Sequence, residues 1–292
     1  ILDFSRFPIV NIHSSTDGWL MAVVCLSLRR APKVVGIRHI CAQPSRSLKT
    51  RWLYRRAAQK IVTIGEAIRS QILHLGLLAD HVGATPTGID PEIYASGLRS
   101  EAKMLLGLSG LTVIGVVATI RSLKGHSILI EALKHLPSRH YRLVFVGDLP
   151  IRMAIEEEFR LDSLADLILF AGHQNNVLMW LLGMDVFVLP SHANEGISRA
   201  LVQSMMAGIP VFATTVGAIT EVARDHQSAL VVGPSNPHAL RPAITSLLDN
   251  PALGSHLATG ARELVLRSHN EAVMVEKMDG VFRGLLLTAG EG

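Results

Sequence analysis

Short apolar runs alternate with amphipathic stretches along most of the chain, and this alternation sets the expected architecture. Phe7 to His13, Lys33 to Arg38 and Ile61 to Ile64 are short and rich in Val and Ile, which predicts strands. Between them, Ser15 or Thr16 is placed to cap a helix reaching about Arg30. Lys49 to Lys60 predicts a second helix and Glu66 to Leu75 a third. Strands that alternate with helices build a parallel sheet covered on both faces. The stretch TPTGIDPEIY, residues 85 to 94, breaks the pattern with two prolines, a glycine and an aspartate, and reads as a connector.

The alternation then restarts. Val113 to Ala118, Arg142 to Val146, Leu167 to Phe170, Val186 to Leu189, Pro210 to Thr214 and Ala229 to Val232 predict a second sheet of about six strands. Gly125 to Leu136, Ile151 to Leu161, Val177 to Met184, Ile197 to Ala207 and Ile219 to Asp225 are the intervening helical stretches. Pro237 to Leu248, Pro251 to Leu266 and Glu271 to Leu287 close the chain as helices. The expected fold class is therefore α/β, with two Rossmann-like, doubly wound parallel-sheet units joined at the connector.

Composition narrows this picture. The chain has 292 residues, room for two ordinary domains, and 49% of them are hydrophobic and evenly spread, which argues against disorder. The apolar run Trp19 to Leu28 is too short to cross a bilayer. There is no signal-peptide or lipidation pattern. Cys25 and Cys41 form no framework spacing and fit a reducing cytosol, so a cytoplasmic location is expected. The net charge of +4 is unevenly placed: between Arg29 and Arg69 stand eleven Lys or Arg and one acid, Glu66. With Trp52 and Tyr54 threaded through it, this segment suits an anionic membrane surface or an anionic acceptor, or is simply a solvated face. No nucleic-acid reading motif accompanies the charge.

In open parallel sheets, ligands sit beyond the carboxyl ends of the strands, so residues directly after each strand are the ones to inspect. Arg121 and Lys124 follow VIGVVAT. Gly147 and Asp148 follow LVFV. Gly172, His173 and Gln174 follow LILFA, and Glu195 follows FVLP. Gly196, Ile197 and Ser198 open the next helix, whose free N–H groups sit at the positive end of its dipole and suit phosphate. Arg121 and Lys124 would add full charges to the same phosphates. Gly147 and Gly172 would let the backbone approach a flat base. A carboxylate beside phosphates must reach past them to hydroxyls, so Glu195 is assigned to a sugar. Gln203, with a donor and an acceptor, suits a ribose diol. Together these residues describe a nucleotide-sugar site.

The motifs VATIRSLKGH (117 to 126), VGDLPIR (146 to 152), FAGHQNNV (170 to 177) and LPSHANEGISRALVQSMMAGIPV (189 to 211) resemble those of the retaining family-four glycosyltransferases, glycosyl transferases group 1, of bacterial type and GT-B fold. VNIHSSTDGW, GIRHI, TRWLYRR and PTGID extend the resemblance over essentially the whole chain. It implies an acceptor-side domain over residues 1–95, a nucleotide-sugar-binding domain over 96–270, and a final helix, 271–292, packing back on the first domain. It also implies transfer of a sugar from a nucleoside-diphosphate sugar to an acceptor hydroxyl with retention of configuration. The implied setting is cell-surface polysaccharide or lipopolysaccharide synthesis, on the inner face of the inner membrane. Its acceptor would be a carbohydrate or lipid-linked molecule. Within the family pattern, Glu195 contacts the transferred sugar, Gln203 the ribose, and Arg121 and Lys124 the phosphates. His13 lies near sugar and acceptor. Apart from that pattern, Arg38 and His39, at the end of the second strand, either meet an acceptor or serve the structure, and Asp17 is set on the acceptor side with them.

Three departures stand out. Gln203 replaces the family's second acid, and Leu149 replaces a glycine. The chain also begins at Ile1 with about half of the usual first domain, so a fragment with an unpaired sheet edge is expected. Other chemistries fit less well. His13, Ser14, Ser15 and Asp17 suggest a hydrolase, but no Gly-x-Ser-x-Gly elbow is present. None of the thirteen histidines forms a ligand-spaced cluster and there is no Asp-x-Asp, so no metal or other cofactor is expected beyond the donor substrate. A nicotinamide dehydrogenase would need Gly-x-Gly-x-x-Gly after a strand, which VIGVVATIRSLKG lacks. A non-catalytic nucleotide-sugar or partner-binding module remains as the alternative.

Overall fold

The computed structural model describes residues 7–94, 98–134, 141–148, 152–159 and 167–287. Leu149, the departure noted above, lies outside them. The chain divides into two compact units, Ile1–Gly88 with Glu271–Gly292, and Ile89–Asn270, so the division falls inside the connector at residue 88 rather than at 95.

The first unit runs β1 (Ile9–Ile12), α1 (Ser15–Ser27), β2 (Lys33–Arg38), α2 (Leu48–Trp52), β3 (Lys60–Thr63), α3 (Glu66–Leu73) and β4 (Val82–Ala84). Its four strands lie in sequence order and pair in parallel. The cap of α1 is Ser14, not the expected Ser15 or Thr16; its side chain accepts from the Asp17 N–H at 3.1 Å. The single helix expected over Lys49 to Lys60 is instead α2 followed by a π turn, Leu53–Ala57.

The second unit runs α4 (Arg99–Leu105), β5 (Thr112–Val117), α5 (His126–Leu133), β6 (Tyr141–Val146), α6 (Arg152–Phe159), β7 (Ile168–Gly172), α7 (Val177–Leu182), β8 (Val186–Leu189), α8 (Arg199–Met206), β9 (Val211–Thr214), β10 (Leu230–Val232), α9 (Pro237–Asp249) and α10 (Pro251–Ser268). All its strand pairs are parallel, in the order β10-β9-β8-β5-β6-β7. Every residue of β8 and β9 is buried, as a parallel sheet covered on both faces requires. Asn236 and Asn250 cap α9 and α10, each followed by a proline whose missing N–H costs nothing at that position. The helix expected over Ile219 to Asp225 is reduced to one 3-10 turn, Ile219–Glu221. The last helix, α11 (Glu271–Leu287), belongs to the first unit. Its Leu285 is buried with Val35 and Val62, and Met278, Val281 and Phe282 pack alongside.

Gly125 fixes how closely the loop after β5 approaches the end of β8. It sits at φ +72°, and a Cβ there would lie 2.0 Å from the Pro190 carbonyl oxygen. Gly172 has a similar φ of +70° with open space around it. A left-handed non-glycine residue alone costs about 1–3 kcal/mol. Gly172→Ala is therefore expected to lose about that much stability. Gly125→Ala should lose clearly more, because backbone must also move; thermal melts of the two variants compare them directly.

Candidate functional site

The strand order of the second unit reverses between β5 and β8. The chain builds outward from β5 through β6 to β7, then returns to β8 and builds the other way. Open parallel sheets place their ligand crevice at such a reversal. Here backbone bonds tie the loops together: His192 N–H donates to the Leu123 carbonyl at 2.9 Å, and Ile120 N–H to the Asp148 carbonyl at 2.7 Å. Gly147 N–H donates to the Gly172 carbonyl at 2.8 Å. Gly147 has φ +140°, and a Cβ there would stand 2.3 Å from the Ala118 carbonyl oxygen, so the ends of β5 and β6 meet only through glycine.

Glu195 lies beyond the end of β8 at this reversal and is only 6% exposed. One carboxylate oxygen accepts from Lys124 Nζ at 2.6 Å and from Ser191 Oγ at 2.7 Å. Ser191 is itself fixed, its carbonyl accepting from Thr214 Oγ1, and the Glu195 carbonyl accepts from the Ala218 N–H at 3.1 Å. Asn194, immediately before it, holds φ +54°, a conformation asparagine tolerates better than most residues. A buried carboxylate needs a partner, and Lys124, from the 3-10 turn Ser122–Lys124 after β5, supplies the charge. The two residues that the sequence assigns to different parts of one ligand are thus paired with each other. The loop then enters α8, which begins at Arg199 rather than Ile197. Its N-cap, Ser198, makes no side-chain capping bond and no acid stands in its first turn. The first amides of α8 therefore remain available to an anion.

Arg121 is exposed and makes no ion pair among the described residues. Asp148 and His173 meet across the ends of β6 and β7 at 3.5 Å, both largely exposed. Gln174 folds back to donate to the Ala171 carbonyl at 2.6 Å. Gln203, expected at a ribose, faces the buried Tyr94 phenol. Burial raises the Tyr94 pKa, while Gln203 and the Arg199 charge lower it.

Sequence reasoning missed Tyr94 and also His126. The latter is 2% exposed, packs edge-on against Phe145 at 4.9 Å, and offers neither ring nitrogen a partner at hydrogen-bonding geometry. Burial, and then the Lys124 charge, lower its pKa to about 4; the Arg121 backbone offsets only part of this.

In the first unit, His13 Nδ1 and His39 Nε2 lie 3.0 Å apart with nearly parallel rings. Asn11 Nδ2, 3.4 Å from His13 Nε2, can only donate, so the proton of a neutral His13 belongs on Nδ1, facing His39. Burial and then the nearby His13 charge lower the His39 pKa. Arg38 donates to Tyr54 Oη at 2.8 Å and to the Ala42 carbonyl. Asp17 serves the α1 cap through its backbone and stays exposed. Among the described residues no cluster of three or more His, Cys, Asp or Glu could hold a metal ion, and no helix is long and apolar enough to cross a membrane. A cavity of about 540 Å³ lies at the opposite ends of the strands. Asp185 there is engaged by Lys103 at 2.6 Å and by the Val113 N–H at 2.7 Å, which is structural bracing.

Two Rossmann-like parallel-sheet units, one with its polar residues gathered at a strand-order reversal, define the chain as a protein of the GT-B class. Residues 111–250 match the family model of the glycosyl transferases group 1. The chain is 31% identical over 247 residues to a D-inositol 3-phosphate glycosyltransferase of Acidothermus cellulolyticus, covering 79% of this chain and 54% of that protein. It is 29% identical over 201 residues to the lipopolysaccharide core biosynthesis mannosyltransferase LpsB of Rhizobium meliloti, covering 65% of this chain and 56% of LpsB. The chain thus spans about half the length of these curated relatives. Among solved structures it is similar to Anabaena HepE in complex with UDP and glucose. The TM-score is 0.84 at 17% identity, over 94% of this chain and 77% of that one, a likeness of fold.

The buried histidine makes a pH prediction. The folded His126 pKa is about 4 against an ordinary 6.5, so between these values the unfolded chain binds more protons and stability falls as pH falls. From pH 7 to pH 4.5 this group should remove roughly 2–3 kcal/mol. In urea unfolding, His126→Leu should flatten the dependence by that amount; equal slopes would mean that the imidazole is solvated.

Proposed function

We propose that the chain is the donor-binding part of a glycosyltransferase that moves a sugar from a nucleoside-diphosphate sugar to an acceptor hydroxyl with retention of configuration. The observation that carries this reading is the Lys124–Glu195 pair, whose acid stands on the loop that leads into the uncapped amide end of α8. A diphosphate entering the crevice competes with Glu195 for the ammonium. Lys124 then turns to the phosphates, and Glu195, still held by Ser191, becomes an acceptor for sugar hydroxyls. Arg121 is available to join Lys124. As the bond to the leaving diphosphate breaks, these cations and the helix amides oppose the growing negative charge, each effect typically about a few kcal/mol. In a retaining reaction with attack on the leaving-group face, the departing phosphate takes the acceptor's proton, and no separate base is needed. Side-chain cations do the work of a metal on the diphosphate.

The relatives' names support carbohydrate transfer, and LpsB supports a cell-surface setting. Residence on the inner face of a membrane is supported by the first unit's surface. Trp19 and Trp52 stack there at 5.8 Å, both about two-fifths exposed, with Leu20, Val23, Leu26 and Leu48 more exposed still. Lys49, Arg51, Arg55 and Arg56 stand in the same segment, a composition suited to anionic headgroups. A non-catalytic nucleotide-sugar binder is the second reading, favoured by one observation: Gln203 faces Tyr94.

Calorimetry with UDP, GDP and ADP, each free and sugar-linked, tests the site. Lys124→Met should weaken the preferred nucleoside diphosphate at least tenfold. Glu195→Gln should keep or tighten the bare diphosphate, because a competing charge is gone, yet lose the preference for the sugar-linked form. Unchanged binding in the Lys124 variant, or NADH binding in place of these ligands, would defeat the assignment. Sugar transfer to an acceptor would separate an enzyme from a binder.

A further inference from the structure

The first unit contains a cavity of about 260 Å³ at the carboxyl ends of β1 and β2. Ile12, Leu53, Ala57 and Ile61 line it and are all less than a tenth exposed, whereas His13 and His39 line it and are exposed. The interior is therefore apolar and the mouth polar. Small residues keep the space open. A Cβ at Gly18 would stand 3.5 Å from Ile12 and Leu53, ordinary contact, so a side chain can begin there and grow into the cavity space. One wall is the π turn Leu53–Ala57, whose Leu53, Tyr54 and Ala57 all border the cavity. Single π turns inside helices are uncommon and concentrate at functional sites. Arg38, also lining the cavity, buries an Nε–H that has no partner among the described residues, although its other nitrogens are engaged. An apolar interior gives ordered water too few partners, which leaves the space to an apolar group.

We infer that this cavity receives the apolar end of the acceptor, an amphiphile whose hydroxyl-bearing head lies at His13, His39 and Arg38. The inference rests on the glycosyl-transfer reading and names the class of acceptor for it. An alkyl chain and an aromatic aglycone present the same chemistry to the pocket, so the test carries both. The full chain, with its Ile and Leu methyl groups labelled, is titrated with methyl, phenyl and n-octyl β-D-glucoside, the last kept below micelle formation.

The expected result is at least tenfold tighter binding of the phenyl or the octyl glucoside than of the methyl glucoside, with the Ile12, Leu53 and Ile61 methyl signals shifting. Whichever of the two binds more tightly identifies the apolar group. Gly18→Leu should abolish the difference while leaving the spectrum of a folded protein. If that variant does not fold, the pattern of shifts in the unaltered chain decides alone. Equal affinity for the three glucosides overturns the inference. So do shifts confined to Leu20, Leu26 and Leu48 beside the tryptophan pair, and so does a folded Gly18→Leu protein that still discriminates. Calorimetry with nucleoside diphosphates reads the second unit separately, so failure of the acceptor pocket and failure of the donor assignment give different results.

Discussion

A carboxylate sealed from water must find a cation, and at Glu195 that requirement organises the second unit. An unpaired ion at such a depth costs several kcal/mol, so the loop after β5 must deliver Lys124 to it. Delivery demands that this loop pass against the end of β8, which is why Gly125 lies on the Pro190 carbonyl and why Leu123 accepts the His192 N–H. Ser191 and Thr214 then fix the acid from the other side. The result is a braced strand end at which the acid and its cation are tied to each other.

That pairing explains why the acid sits where an anionic ligand is expected. Without a ligand Glu195 occupies the position of the negative charge, so Lys124 is never left uncompensated. On the proposed donor reading, a bound diphosphate would take over the charge balance and leave the acid with its hydroxyl partner Ser191.

Much of this was legible in the sequence, and the gaps have physical causes. The six strands of the second sheet were readable because parallel strands buried on both faces are continuous apolar runs. The strand-end positions followed from the topology that such runs imply. The Lys124–Glu195 pair was not readable, since the partners are 71 residues apart and no periodicity links them. Gln203 looked like a ligand contact because its place on α8 was clear and the neighbour it faces, Tyr94, comes from the connector. The π turn was invisible because its residues carry the same apolar spacing as an ordinary helix. His126 could have been found: with Leu129, Ile130 and Leu133 it occupies the i, i+3, i+4 and i+7 positions of one buried stripe.

The division of the chain has its own consequence. The second unit is one continuous stretch, and its two ends leave side by side, Ile89 N–H donating to the His269 carbonyl at 2.9 Å beside the bridge from Ile89 to Asn270. The first unit instead needs Leu285 to cover Val35 and Val62. During synthesis the second unit can close its core while α11 is still inside the ribosome. The first unit, begun earlier, therefore finishes folding later, and Val35 and Val62 wait uncovered until α11 emerges.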